Sequence, residues 1–195
     1  MKIETSKIKE LREKTGLSVI ECKKALEESS GDINKAIEIL KKRGLEISEK
    51  KKEREAKEGL IGSYIHTNGK IGVLIEVNCE TDFVAKNSEF KELVKDLCLQ
   101  IAAGNPEWID VESIPKEITE EKINEIKEEF KDKPEDVIKK IIDGKLNEFY
   151  KEKVLLKQTF IKDENITIEE YIKSKIAKLG ENIKIKRFAR FEIGE

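Results

Sequence analysis

In the stretch Glu76-Val77-Asn78-Cys79-Glu80-Thr81-Asp82-Phe83-Val84-Ala85-Lys86-Asn87, an acid stands beside a large apolar side chain where a strand pattern gives way to a helical one. A carboxylate and an aromatic ring at such a junction are placed to meet a partner. The same spacing also fits a structural role, in which Thr81 or Asp82 caps the helix and Phe83 tucks onto the core stripe seven residues before Phe90. Spacing alone favours that structural role, because caps are common at such junctions. Bond-making chemistry finds little purchase. There is no phosphate-binding G-x-x-x-x-G-K-[ST], no G-x-G-x-x-G after a strand and no G-x-S-x-G elbow. The many carboxylates lie in charged helical stretches, where solvation and i to i+4 pairing explain them better than acid/base work. No covalent catalysis and no cofactor are expected.

His66 is the only histidine and no paired-ligand spacing accompanies it, so no metal site is expected. It falls at the end of a strand just before a turn, where a hydrogen-bonded structural role is expected. Trp108 follows a proline in a loop and fits either an interface anchor or a peripheral core position. Cys22, Cys79 and Cys98 are odd in number, far apart and never in a C-x-x-C spacing. That pattern suits a reducing compartment, with the thiols as small buried apolar groups.

The 195 residues are 41% charged and 37% hydrophobic with a formal net charge of -2, which suits one or two small soluble domains. Near-balanced charge supplies no overall field toward nucleic acid or an anionic membrane, so neither is expected as a partner. The amino terminus lacks the apolar run of a signal peptide, and no stretch approaches the roughly 20 apolar residues of a membrane span. A cytoplasmic setting is expected. Lysine, glutamate and isoleucine dominate, while glutamine occurs only at Gln100 and Gln158. Heat-adapted proteins show such a bias, and an AT-rich genome gives much the same one.

These residues need elements to position them. Residues 1–44 read as three short helices. Thr5 or Ser6 can cap the first, which carries Ile8 and Leu11; Ser18 with Glu21 forms a capping-box pattern ahead of Val19, Cys22, Ala25 and Leu26. Asp32 caps a third bearing Ile33, Ala36, Ile37 and Leu40, and Gly44 is placed to end it in the left-handed conformation. The module resembles the ubiquitin-associated type. Residues 45–58 are nearly all charged and read as an exposed helical linker. Residues 59–195 read as an α+β domain. Leu60 to Asn78 carries strand alternation broken by Thr67-Asn68-Gly69-Lys70, which favours a two-residue hairpin turn with Thr67 opposite Lys70. Leu60, Tyr64, Ile71, Val73, Ile75 and Val77 then share a face that helices must cover. Ile183, Ile185, Ala189, Phe191 and Ile193 alternate in the same way and predict a third antiparallel strand. Phe90, Leu93, Val94, Leu97, Cys98 and Ile101 predict the main covering helix. Thr119 caps a further helix, Pro134 fits the first turn of the next, and Thr167 with Glu170 forms a capping box before a helix closed by Gly180.

Two long segments carry a family likeness. Leu11-Arg12-Glu13-Lys14-Thr15-Gly16 followed by Cys22-Lys23-Lys24-Ala25-Leu26, and then Glu76 to Asn87, are similar to the two signatures of the elongation factor Ts family. Gly180-Glu181-Asn182-Ile183 and Arg187-Phe188-Ala189-Arg190-Phe191 resemble its carboxyl-terminal region, while Thr159 stands where many members have proline. The chain resembles the short form of the family, with a single core sheet subdomain. The resemblance implies a guanine-nucleotide exchange factor that binds the GDP-bound form of elongation factor Tu and promotes GDP release. It implies that Thr81, Asp82, Phe83 and Val84 enter the nucleotide domain and displace its magnesium site. It also implies an amino-terminal contact made by Leu11, Arg12, Thr15, Gly16 and Leu17, and it leaves a homodimer open. The competing expectation is a ubiquitin-associated-type adaptor without exchange activity, which accounts for residues up to Gly44 and leaves Glu76 to Asn87 unused.

Overall fold

A computed structural model describes residues 3–194. Helices α1 (Thr5–Thr15), α2 (Val19–Glu28) and α3 (Ile33–Lys51) precede strands β1 (Glu58–Ile65) and β2 (Ile71–Cys79). Then come α4 (Asp82–Lys86), α5 (Ser88–Gly104), α6 (Lys116–Glu129) and α7 (Glu135–Lys153). A short hairpin of β3 (Thr159–Phe160) and β4 (Asp163–Thr167) leads into α8 (Ile168–Leu179) and β5 (Lys184–Glu192). The class is α+β, and the main sheet is antiparallel in the order β1-β2-β5. The chain divides into two compact units. One gathers the chain through Leu60 with Val77–Leu93 and Ile172–Lys184; the other holds Ile61–Glu76, Val94–Tyr171 and the chain from Ile185 onward.

In the first unit, α1, α2 and α3 close on Leu11, Cys22, Ala25, Leu26, Ala36 and Leu40, with Ile8, Leu17, Ile33 and Ile37 packed against them. Ser18 accepts the Glu21 N–H at 3.2 Å and Asp32 accepts the Lys35 N–H at 3.1 Å, so both expected caps form. The start of α1 differs: Glu4 is its cap residue and makes no side-chain capping bond. Gly44 also differs from expectation, since α3 runs through it to Lys51. A Cβ at Gly44 would lie 3.3 Å from the Ala177 Cβ, so the glycine serves a close helix approach and not a turn. Ser48 is buried and Lys51 Nζ donates to the Gly180 carbonyl. Residues 45–51 of the expected exposed linker are therefore the end of α3, exposed at Leu45, Glu46, Glu49 and Lys50 and buried at Ser48.

In the second unit Val73 and Ile75 of β2 are buried, as are Val94, Leu97, Cys98 and Ile101 of α5. A Cβ at Gly62 of β1 would lie 2.4 Å from the Val94 Cγ1, which shows how closely that helix covers the strand. The hairpin keeps its expected register but not its turn. His66 N–H donates to the Ile71 carbonyl at 2.9 Å and Gly69 N–H to the His66 carbonyl at 2.7 Å, so four residues lie inside the closing pair. Alternation along β5 is also opposite to expectation at its end: Phe191 and Ile193 are exposed, while the Arg190 side chain is buried and donates to the Ala102 carbonyl. Helix α6 begins after Pro115, placing Thr119 inside it and not at its cap. The capping box at α8 forms as read, with Thr167 and Glu170 each accepting the other's N–H at 3.2 and 2.8 Å.

The two glutamines meet. Gln100 Nε2 donates to Gln158 Oε1 at 3.0 Å, and Gln158 Nε2 donates to the carbonyls of Gly104 and Glu152. Gln100 Oε1 also accepts the Ile161 N–H at 2.9 Å, tying the β3–β4 hairpin to α5. Asp96 is buried and satisfied by Lys162 at 2.6 Å and the Tyr171 hydroxyl at 2.7 Å. Trp108 is half-buried, bridges to Val154 and packs on Phe149 with ring centroids 5.9 Å apart, a peripheral core position.

Candidate functional site

Strand β2 ends on buried Cys79, and the chain turns at Thr81, which is extended at φ -130 and ψ 156. Thr81 is the cap of α4, its hydroxyl accepting the Val84 N–H at 3.4 Å. The helix lasts five residues. Asn87 stops it at φ -66 and ψ 139, and its side-chain oxygen accepts the Glu89 N–H at 2.8 Å as α5 begins. Within α4 only Ala85 is buried. Asp82 and Val84 are half-buried, and Phe83 is 81% exposed. The structural role weighed for this ring is thus overturned: a cap is present, at Thr81, yet Phe83 lies off the core.

Asp82 holds Lys86 at 2.6 Å one helical turn on. The hydrogen bond from Lys86 keeps the Asp82 carboxyl below the usual carboxylate range, so it is charged at neutral pH. Burial first, and the Glu181 carboxylate second, push the Cys79 thiol up to about 11, which makes it an inert packing group. Among the described residues no group of His, Cys, Asp or Glu is arranged to hold a metal ion. The stretch thus presents an exposed ring next to a charged carboxylate.

The amino-terminal set is placed unevenly. Leu11 is fully buried in the three-helix core, and this corrects its expected role as a contact: it offers a partner no surface. Arg12 and Gly16 are exposed, and Thr15 and Leu17 half-buried. Thr15 donates to the Leu11 carbonyl at 2.8 Å and accepts the Leu17 N–H at 3.4 Å, so it builds the turn. Gly16 takes φ 67, a left-handed helix end that favours glycine. Two further apolar residues beside this set are exposed. Val19 and Ile20, at the start of α2, are 50% and 65% exposed, and two adjacent apolar residues on one helix turn cannot both face the core. Both sets lie in the first unit. Lys178 lies against Gly16 and pairs with Glu89 of α5 at 2.7 Å.

A family model described as Elongation factor TS matches residues 3–195. The chain belongs to the elongation factor Ts family. Among named elongation factor Ts proteins, that of Thermodesulfovibrio yellowstonii is 54% identical over 196 residues, covering 100% of this chain and 98% of its own. That of Fervidobacterium nodosum is 52% identical over 197 residues with both chains wholly covered. That of Thermosipho melanesiensis is 52% identical over 190 residues, covering 96% of this chain and 97% of its own. Membership in the elongation factor Ts family carries a translation elongation role. No helix among the described residues is long and apolar enough to cross a membrane.

Proposed function

We propose that the protein binds elongation factor Tu in its GDP-bound form and accelerates GDP release, allowing GTP to enter, within the cytoplasmic cycle of translation. The observation that carries this reading is the exposure of Phe83 on a helix whose first residue is held in place. A magnesium ion bound with GDP would supply part of the hold on the nucleotide, and magnesium sites tolerate little distortion. A ring driven in beside a carboxylate loosens the nucleotide with no bond broken in the factor. By linkage, GDP must weaken the factor's binding as much as the factor weakens GDP's. Arg12, Gly16, Val19 and Ile20 supply a second contact, which fixes the angle of entry. An adaptor reading uses only the three-helix module and leaves Phe83 without a role.

A homodimer is part of the proposal. Ile61, Ile65, Leu74, Phe191 and Ile193 are 50% to 74% exposed, and Ile61, Leu74, Glu76, Arg187 and Ala189 line one shallow groove. Exposed apolar patches of this kind mark interaction surfaces, and a second copy offers a self-complementary one. The deciding experiment is release of labelled GDP from elongation factor Tu with and without this protein. Faster release supports exchange; binding with an unchanged release rate supports the adaptor.

A further inference from the structure

We propose that Glu181 is a positioning residue for exchange, the brace that aims Phe83; this rests on the exchange reading above. Phe83 is 81% exposed, so packing does not set its direction. The backbone of α4 must do so, and a five-residue helix has no stability of its own. Its start is therefore the control point, and there one carboxylate makes three bonds. Glu181 Oε2 accepts the N–H groups of Glu80 at 3.1 Å and Thr81 at 3.0 Å, while Oε1 accepts the Thr81 hydroxyl at 2.6 Å. Two successive N–H groups facing one anion form a cradle that fixes the peptide plane between them. The Thr81 hydroxyl has a single proton, which goes to Glu181, and this turns its lone pairs toward the Val84 N–H at 3.4 Å. The brace and the helix cap are thus one connected chain of hydrogen bonds.

Glu181 is itself anchored on both sides. Gly180, at φ 78, reverses the chain after α8, and Asn182 N–H donates to Glu80 Oε1 at 2.6 Å. The side-chain amide of buried Asn182 donates to the carbonyls of Lys52 at 3.2 Å and Arg54 at 2.7 Å. Arg54 in turn pairs with Glu80 at 3.5 Å. Glu181 therefore holds the Glu80 and Thr81 N–H groups while Glu80 holds the Asn182 N–H, and the arrangement fixes where β2 ends and α4 begins. Charge-assisted bonds of this type are about twice as strong as neutral ones, which suits a joint that must hold while Phe83 meets its partner.

The test is single-turnover release of fluorescent GDP from elongation factor Tu over a range of factor concentrations, giving a plateau rate and a half-saturating concentration. Glu181→Ala, Phe83→Ala and the double variant are compared with the unaltered protein, alongside urea unfolding and amide hydrogen exchange at Glu80, Thr81 and Val84. Misplacing the ring is expected to lower the Glu181→Ala plateau by about tenfold or more, with little change in half-saturation and with protection lost at those amides. In the Phe83→Ala background Glu181→Ala should cost no further rate, although the stability losses add. A folded Glu181→Ala protein with an unaltered plateau overturns the brace, as does a second full loss of rate in the double variant. Should Glu181→Ala fail to fold, Glu181→Gln keeps the volume but lacks the charge and presents an N–H toward Thr81. Its plateau is expected to fall by less, and an unaltered plateau there also overturns the proposal. If Phe83→Ala itself exchanges normally, the exchange reading fails; if Phe83→Ala is slow and Glu181→Ala is not, only the brace fails.

Discussion

Replacing Phe83 with alanine separates a ring that acts on a partner from a ring that holds the fold. Phe83 is 81% exposed, so of the roughly 200 Å² of a phenylalanine side chain only about 40 Å² is covered. At about 25 cal/mol per Å² the truncation costs about 1 kcal/mol, and the better helix preference of alanine offsets part of it. In a chain of this length that amounts to about 2–4 °C in Tm. A core phenylalanine would cost about 3–5 kcal/mol instead. Function should respond the other way. Truncating a central aromatic anchor removes about 2 kcal/mol or more of partner interaction, which is about 30-fold in rate. Melting curves and GDP release from elongation factor Tu, measured on the same preparation, decide the matter. A Tm loss well above about 6 °C together with unchanged release per folded molecule refutes the reasoning.

Three further outcomes are expected. If Asp82 and Phe83 act on the metal site, removing magnesium with a chelator speeds GDP release by itself and shrinks the acceleration the protein adds; an undiminished acceleration contradicts this. Hydrogen bonds from Lys175 first, and then Lys178, hold the Glu89 carboxyl at about 2, well below its ordinary 4.5. The lowered value means that this stabilisation is complete above about pH 4.5 and is lost as pH falls toward about 2. With Glu89 partly exposed it is worth about 1–3 kcal/mol, so the urea stabilities of the unaltered protein and Glu89→Gln should converge on acidification; a gap independent of pH argues against it. Leu74→Glu, on the exposed sheet face, should yield monomers by sedimentation while leaving the melting of the monomer nearly unchanged, and an unaltered protein already monomeric at high concentration removes the dimer.

Elements with strong periodicity were legible in the sequence. The helical stripe from Phe90 to Ile101 and the alternation through Val73, Ile75 and Val77 each repeat often enough to fix a face. The caps at Ser18, Asp32 and Thr167 were legible because each pairs a short polar side chain with an apolar run behind it. Misses occurred where a residue answers to a distant neighbour. Gly44 looks like a helix end, but it is a glycine because Ala177 comes close. The β3–β4 hairpin has a two-residue strand facing the polar run Asp163–Thr167, too short and too polar to show a period. Its tie to α5 runs through Gln100 and Gln158, which composition registers only as two rare residues. Phe191 and Ile193 alternate as core strand residues do, and alternation alone does not say which face is covered.

Phe83 shows the limit most clearly, because only the capping half of the structural role expected for this stretch is present: Thr81 caps the helix, yet the ring lies off the core. A spacing of seven places Phe83 and Phe90 on one stripe only if a single helix runs through both. Asn87 breaks that continuity at φ -66 and ψ 139, so the phase is reset and α5 starts anew from its own cap. Phe90 is fully buried on the new helix, and Phe83 is left on a separate, shorter one. The break depends on a local side-chain bond from Asn87 to the Glu89 N–H at 2.8 Å, a competition that short polar residues pose to any helix. Sequence periodicity cannot register it, since asparagine is tolerated within helices as well. What the capping signal marked was therefore the start of a short separate helix, so a cap at Thr81 and an exposed Phe83 occur together.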